Sequence, residues 1–469
     1  MARGLILAAP SSGSGKTSLT FGLLAALRAR GTAAQGFKTG PDYIDPQYHR
    51  IAADRPCPNL DPWAMRPETI LETLQQGSDG ADLCLIEGVM GLFDGVPGPA
   101  AAANTAVAAG IGNNASTAAL ANSLDLPVVL IVDAKGQSQS VAALVRGFAD
   151  FDPSLRLAGV ILNRVGSDRH RALLSDALTT HLPNVPVLGA VPRLPWLEWP
   201  GRHLGLTLPD ELPDMPAQAD RLAQLLPGCV DLDALQAAAA ALPESPLPTG
   251  SPPTGPLKTS ASHTGPAHTD PAYAGPGLRF PAGARVAIAR DDAFSFVYPH
   301  WLRSGAARVE TFSPLANEAV PESSDFIFLP GGYPELQAER LAAADVFLAS
   351  LREHHARATP IYGECGGYMV LGQAMTVNGT HHTMAGLLPV VTHYSEGAAR
   401  RLGYRSMTAP EDFWAGPRLR GHEFHASTAE ELEPANLFNA WDSSDKNLGR
   451  QGHRNGNTLG SYLHIIDRA

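Results

Sequence analysis

The chain has 469 residues, a formal net charge of −11, 17% charged residues and four cysteines, which is length enough for two domains, or three at most, each with its own core. This charge balance offers no basic surface for nucleic acid or an anionic membrane, so a negatively charged substrate would be met by local Arg and Lys clusters. Cys57, Cys84, Cys229 and Cys365 show no CxxC spacing and read as reduced thiols of a cytoplasmic protein rather than a disulfide or zinc framework.

In chain order, Met1 to Gly4 leads directly into a short apolar strand, with no sign of a signal peptide, and no apolar run reaches the ~20 residues that span a bilayer. Short apolar runs then alternate with helical patterns: strand Gly4 to Ala9 and helix Lys16 to Arg30; strand Ala81 to Glu87; strand Pro127 to Asp133 and helix Ser138 to Ala149; strand Leu157 to Asn163 and helix Ser167 to His181; strand Pro186 to Val191. The alanines from Ala100 to Ala109 are broken by Asn104 and read as a loop or surface helix. Continuous apolar strands between amphipathic helices indicate a parallel sheet covered on both faces.

Pro, Gly, Ser and Thr dominate from Pro243 to Gly277, a composition that buries too little apolar area to offset its ordering entropy and so reads as a linker. Beyond it, Arg285 to Ala289, Val309 to Phe312, Phe326 to Leu329 and Pro360 to Tyr362 repeat the short-strand habit, and Pro334 to His355 is long enough for a crossover helix. Arg418 to His425 and Thr458 to Ile465 make the tail more strand-rich, with mixed pairing expected. The division is therefore 1–235, a linker at 243–277, and 283–469, both domains being α/β.

Ser11-Ser12-Gly13-Ser14-Gly15-Lys16-Thr17-Ser18 follows a buried-type strand and opens a helix. That is the setting of a phosphate-binding loop, in which backbone N–H groups and the helix N-terminus face phosphate. Gly13, Ser14, Gly15, Lys16, Thr17 and Ser18 are the candidate ATP-binding residues. Pro10 stands where the usual pattern has its first glycine. Lys16 would neutralise the β and γ phosphates, and the Thr17 hydroxyl would ligate Mg²⁺. Two acidic clusters, Lys38 to Asp45 and Ile86 to Gly95, offer Asp42, Glu87 and Asp94 to complete the site, with Thr17, Asp42 and Glu87 as the metal set. Glu87 ends a buried strand, where ligands bind in open α/β sheets. The alternative for Asp42 and Asp94, each taken alone, is a turn or cap role. Asn163 would read the adenine edge or merely form a turn.

Cys365, in Tyr362-Gly363-Glu364-Cys365-Gly366-Gly367, lies between a strand and a helical run at Tyr368 to Gln373. Glycines on both sides allow the sharp turn of a nucleophile elbow. A thiol of ordinary pKa ~8.5 is expected to be lowered by a helix N-terminus and an imidazole. His464 is the first candidate for that imidazole, with His422 and His425 as rivals. A glutamate often follows such a histidine by two positions; here Ile466 stands there, and no third member is visible. N–H groups near Gly331-Gly332 and at Gly366 would form the oxyanion hole. A loop that holds ATP and a thiolate that frees nitrogen from an amide together imply an ATP-driven amidation fed by glutamine.

Taken in order, these motifs, with Leu329 to Leu336, Gly421 to Ser427 and Gly460 to His464, resemble the cobyrinic acid and hydrogenobyrinic acid a,c-diamide synthases over both domains. The resemblance implies a dethiobiotin-synthetase-like, doubly wound P-loop domain and a class I glutamine amidotransferase-like domain. It makes Cys365 the nucleophile and His464 its activator, with Asp42, Glu87 and Asp94 in the synthetase site. It also implies ATP and Mg²⁺, L-glutamine, and a corrin-type tetrapyrrole whose a and c carboxylates become amides, and it allows a homodimer. The elbow run and the Pro-rich linker look closer to the enzymes acting on cobalt-free hydrogenobyrinic acid. The rivals are the cobalt-bearing cobyrinic acid as substrate, an amidase for the remaining side chains or for a nickel tetrapyrrole, and a P-loop switch ATPase carrying an inactive amidotransferase-like module.

Overall fold

The computed structural model describes residues 2–96, 114–202, 205–212, 214–243, 280, 283–302 and 307–469. The alanine-rich stretch and all but the first residue of the linker expected at 243–277 lie outside the described residues. The chain forms two compact units, Met1–Trp63 with Pro67–Pro256, and Ala64–Arg66 with Leu257–Ala469. Among the described residues no helix is long and apolar enough to cross a membrane.

The first unit is built on an eight-stranded sheet. Its strands are β1 (Arg3–Ala8), β2 (Ala34–Thr39), β3 (Asn59–Leu60), β4 (Leu83–Glu87), β5 (Val128–Asp133), β6 (Leu157–Val165) and β7 (Val187–Pro192). They run parallel in the order β3-β2-β4-β1-β5-β6-β7, with Ala240–Ala241 added antiparallel against β1. Leu5, Ile6, Leu7 and Ala8 are wholly buried, as a strand covered on both faces requires, and each large aliphatic side chain so placed contributes ~1.5–3 kcal/mol. Helix α1 (Lys16–Ala29) follows β1, and α2 (Asp45–Ala53) follows β2. This is the doubly wound P-loop sheet expected from the sequence, although β2, β3 and α2 had given no clear apolar period and were not anticipated.

The second unit carries a six-stranded sheet in the order Arg308–Phe312, Arg285–Ala289, Phe326–Leu329, Ile361–Glu364, Thr458–Ser461, His453–Asn455, parallel except at its last pair. Sheets of four and five strands complete it, and the tail is more strand-rich than the sequence suggested.

Two expectations change. The crossover helix over Pro334 to His355 is broken into a 3-10 turn at Pro334–Gln337 and helices at Ala338–Ala342 and Asp345–Ala356. At the break the Asp345 carboxylate takes the Val346 N–H at 2.8 Å and Asn317 Nδ2 at 2.9 Å, which starts a new helix instead of continuing the old one. The strand expected over Thr458 to Ile465 is two strands, Thr458–Ser461 and Leu463–Arg468, in different sheets, because Ser461 Oγ turns back to accept the Leu463 N–H at 3.0 Å. His464 therefore lies inside the second strand rather than at the end of a single one.

Candidate active sites

The first site starts at the loop between β1 and α1. Gly13 and Gly15 hold φ of 76° and 90°, left-handed values that glycine adopts freely and other residues adopt at ~1–2 kcal/mol. A Cβ on Gly15 would also lie 2.3 Å from Asn163 Nδ2. Asn163, in β6, donates from Nδ2 to the Ser14 carbonyl at 2.9 Å and accepts the Arg164 N–H at Oδ1, so its amide braces the loop. Arg164 Nη1 donates to the Gly13 carbonyl at 2.9 Å. Ser14 Oγ donates to the Ser11 carbonyl at 2.9 Å, and Ser18 stands half-buried in the first turn of α1. The loop is thus shaped in advance, with helix N-terminal N–H groups available to an anion.

Beside the loop sits a buried charge cluster that sheet register assembles. β2 and β4 pair with Lys38 opposite Glu87. Lys38 Nζ donates to Glu87 Oε1 at 2.9 Å and to Asp45 Oδ2 at 2.6 Å. Thr17 Oγ1 lies 2.8 and 3.2 Å from the same two oxygens, and His49 Nε2 meets Glu87 Oε2. Isolated charges buried this deeply would cost several kcal/mol each, and pairing is what makes them tolerable. Burial opposes both charges of the central pair, yet Asp45 and Glu87 hold Lys38 above its ordinary value, while Lys38 and His49 hold Glu87 below the usual carboxylate range. Burial and then the neighbouring Asp42 charge push Asp45 up to about 7.

Asp42 and Asp94 occupy quieter places. Asp42 Oδ1 accepts the Ile44 and Asp45 N–H groups at 2.8 and 3.0 Å, at the entry to α2. Asp94 Oδ2 accepts the Gly91 N–H at 2.8 Å. Asp45, rather than Asp42, lies against Thr17. Lys16 Nζ donates to the Met90 carbonyl; burial, then the Lys38 charge, lower it to about 8. Among the described residues no group of three or more His, Cys, Asp or Glu side chains is arranged to hold a metal ion. The hydroxyl of Thr17 with the carboxylates of Asp45 and Glu87 is a hard-oxygen set that fits a Mg²⁺ keeping waters and phosphate oxygens in its shell.

The second site is the turn at Cys365, between strand Ile361–Glu364 and helix Gly366–Leu371. Cys365 has φ 47° and ψ −103°, a strained conformation of order 1–3 kcal/mol. A Cβ on Gly367 would lie 1.9 Å from the Leu329 carbonyl oxygen, so only glycine lets the helix approach that strand. A Cβ on Gly331 would fall 2.5 Å from His464 Cε1 and 3.3 Å from Cys365 Cβ, which places imidazole and thiol on one side of the elbow. The Gly332 nitrogen lies 3.2 Å from where a Gly366 Cβ would be, bringing the oxyanion candidates together.

Of the three histidines, His425 has Nε2 at 2.9 Å from Glu423 Oε1 and Nδ1 at 3.0 Å from Ser427 Oγ. His422 pairs across the sheet with His464, stacks on its ring at 4.8 Å, and holds Tyr298 Oη at 2.9 Å. Burial, then the His464 and Arg405 charges, keep His422 well below its ordinary value. His464 is the one whose ring lies beside the Gly331 and Cys365 backbone. The thiol departs from expectation: burial, then Glu335, push Cys365 above its ordinary value, and the Gly366 N–H only partly offsets them. A six-residue helix is too short to outweigh desolvation of a 1% exposed side chain. Burial therefore favours the thiol over the thiolate, so loss of its proton calls for a nearby base.

Lys38, Asp45 and His49 in the first site, and Glu335 near the thiol of the second, carry no individual signature in the sequence. Lys38 and Asp45 bounded a segment already singled out, but only strand register shows them meeting Glu87.

Residues 5–206 match the family model described as the CobQ/CobB/MinD/ParA nucleotide binding domain, and residues 285–468 match the CobB/CobQ-like glutamine amidotransferase domain. The hydrogenobyrinate a,c-diamide synthase of Brucella abortus biovar 1 (strain 9-941) is 44% identical over 473 residues, 99% of this chain and 98% of that protein. Proteins of the same description from Rhizobium meliloti (strain 1021) and Sinorhizobium sp are 43% and 41% identical, each over 99% of both chains.

Proposed function

The chain belongs to the hydrogenobyrinate a,c-diamide synthase family, and from that premise we propose that it amidates the a and c side-chain carboxylates of hydrogenobyrinic acid, using ATP and glutamine, in cobalamin biosynthesis. One observation carries this reading: a single chain holds both a phosphate loop backed by Lys38, Asp45 and Glu87 and a strained cysteine elbow facing His464.

A carboxylate resists attack by ammonia because it is charged and lacks a leaving group. In the proposed sequence a carboxylate oxygen attacks the γ-phosphorus of ATP and ADP leaves, giving an acyl phosphate. Ammonia then attacks the acyl carbon and phosphate departs. Gly13 to Ser18 hold the phosphates, Lys16 balances their charge, and Asn163 keeps the loop in shape. Lys38 holds the Asp45 and Glu87 carboxylates together beside the loop. Bound Mg²⁺ would neutralise phosphate charge, held by Thr17, Glu87 and Asp45, with Asp42 and Asp94 shaping the surrounding turns. Residues 1–235 are assigned to this synthetase, 243–277 to a linker and 283–469 to the glutaminase. A cytoplasmic enzyme, active alone or as a homodimer, fits this chemistry.

Incubation with ATP, Mg²⁺ and glutamine should convert hydrogenobyrinic acid to its diamide, seen by mass spectrometry as two successive acid-to-amide changes; unchanged substrate would contradict the reading. The cobalt-free macrocycle is expected to give the higher kcat/KM, and a higher value for cobyrinic acid would reverse that assignment while leaving the reaction class intact.

Lys16 gives a pH prediction. Burial and the Lys38 charge disfavour its ammonium, with a pKa of about 8, whereas phosphate charge favours it. ATP binding just above that pH is therefore expected to take up a proton. Titration calorimetry in two buffers of different ionisation enthalpy should give different heats, and equal heats would contradict the placement of Lys16 on the phosphates.

A further inference from the structure

We infer that Glu364 is the positioning carboxylate of the glutamine site, the group that fixes the tautomer of His464 so that its Nε2 receives the Cys365 proton; the inference rests on the glutaminase reading above. The place two residues after His464 holds Ile466, whose contribution is a backbone carbonyl that meets His300 Nε2 at 2.9 Å. The acid comes instead from the residue just before the nucleophile. Strands Ile361–Glu364 and Thr458–Ser461 run parallel with Glu364 opposite Ser461, so the end of the elbow strand lies beside the chain that enters the His464 strand.

The two oxygens of Glu364 have different duties. Oε1 accepts the Ile465 N–H at 2.9 Å and the Tyr362 hydroxyl at 3.2 Å. Oε2 lies 3.6 Å from His464 Nδ1, and the two side chains are 2% and 0% exposed. That separation is an ion-pair distance, longer than a hydrogen bond, and it is expected to shorten as charge develops on the imidazole. Burial pushes the Glu364 carboxyl above its ordinary value, and His464 and the Ile465 N–H oppose that. A protonated His464 would strengthen the pairing.

The proton path balances around this geometry. The Cys365 S–H proton passes to His464 Nε2 as sulfur bonds to the amide carbon of glutamine. The carbonyl electron pair moves to oxygen, against the Gly332 and Gly366 N–H groups. Collapse breaks the C–N bond, and the Nε2 proton goes to the leaving nitrogen, giving ammonia and a glutamyl thioester. Water then adds with its proton taken by Nε2, and sulfur leaves and recovers that proton as glutamate departs. Glu364 holds Nδ1–H throughout and itself gains no proton.

Glu364→Gln tests the assignment because the Ile465 N–H dictates how the amide sits. That donor must still be met, so the amide oxygen takes the Oε1 place and the NH₂ group faces Nδ1. His464 is then forced to carry its proton on Nε2, the wrong side for a base. Glutamine hydrolysis by the full chain is expected to lose about 10²–10⁴-fold in kcat, with KM for glutamine within about 3-fold. Amidation of hydrogenobyrinic acid with ammonium salt should stay at the wild-type rate, which also reports that the variant is folded. Glu364→Asp keeps the charge and should recover at least about 10-fold over Gln. A merely structural residue would suffer from both changes alike, with KM disturbed as well. Gln within about 5-fold of wild type, or Asp no better than Gln, would overturn the inference. If Gln does not fold, Asp alone decides: turnover at unchanged KM supports the role, and none contradicts it. Absence of glutamine hydrolysis by the wild-type chain would instead remove the glutaminase reading on which this role depends.

Discussion

Cys365→Ala is expected to abolish glutamine-dependent amidation, by about 10⁴-fold or more, while leaving amidation with ammonium salt intact as the pH is raised and free ammonia becomes abundant. The reasoning lies in where the thiol sits. Its sulfur belongs to an elbow with φ 47°, beside His464 and the glycine backbones at 331 and 366, whereas the acyl phosphate is proposed to form at the phosphate loop. Removing sulfur from a position of 1% exposure leaves a small void, so a loss of about 1 kcal/mol in stability is expected alongside, the strained φ being common to both proteins. Product mass spectrometry with each nitrogen source checks the claim. Retained glutamine turnover would contradict it, as would loss of the ammonia reaction in folded protein that still binds ATP.

Lys16→Ala is expected to fail with both nitrogen sources, by at least about 10³-fold, because without a charge on the β and γ phosphates no acyl phosphate forms and ammonia meets only a carboxylate. This variant separates chemistry from folding better than Glu87→Ala. Burial and the Lys38 charge already disfavour the Lys16 ammonium, so its removal relieves repulsion. Glu87 has no exposure and carries contacts to Lys38, His49 and Thr17. Its loss would leave Lys38 with Asp45 alone and remove a partner of His49 and Thr17, breaking a buried charge network at a cost of about 3–5 kcal/mol and confounding activity with stability. Glutamine hydrolysis by Lys16→Ala should persist, and thermal unfolding should show a midpoint close to wild type. Ammonia-dependent product from this variant would mean that the loop is not the site of activation.

The sequence was most legible where function is written locally. Gly13, Gly15, Lys16 and Thr17 lie within five consecutive residues, and the elbow glycines flank Cys365, so spacing alone announced both turns. Glu87 was visible because it ends an apolar strand. Lys38, Asp45 and His49 were not singled out, because a lysine in a short strand and an acid at a helix start have ordinary structural uses. Their convergence depends on the pairing of β2 with β4 and on how α2 packs, neither of which has a local signature. Asp42 and Asp45 could each begin the helix, and only the folded chain shows that Asp45 is the one against Thr17 while Asp42 caps the turn. Glu364 stands beside the nucleophile in the sequence, but the acid of such a site is expected after the histidine, and the parallel pairing that brings residue 364 to residue 461 is a long-range fact. The thiol was expected low on the strength of its helix, whereas burial and Glu335 dominate.

The central claim, that a side-chain carboxylate is activated as an acyl phosphate before ammonia meets it, is tested most directly by oxygen transfer. Hydrogenobyrinic acid labelled with ¹⁸O in its carboxylates would be turned over with ATP, Mg²⁺ and glutamine, and the inorganic phosphate examined by mass spectrometry. The account predicts ADP and one ¹⁸O atom in the phosphate for each amide formed, since the carboxylate oxygen that attacks phosphorus leaves with it. Unlabelled phosphate, or AMP and pyrophosphate carrying the label, would contradict it.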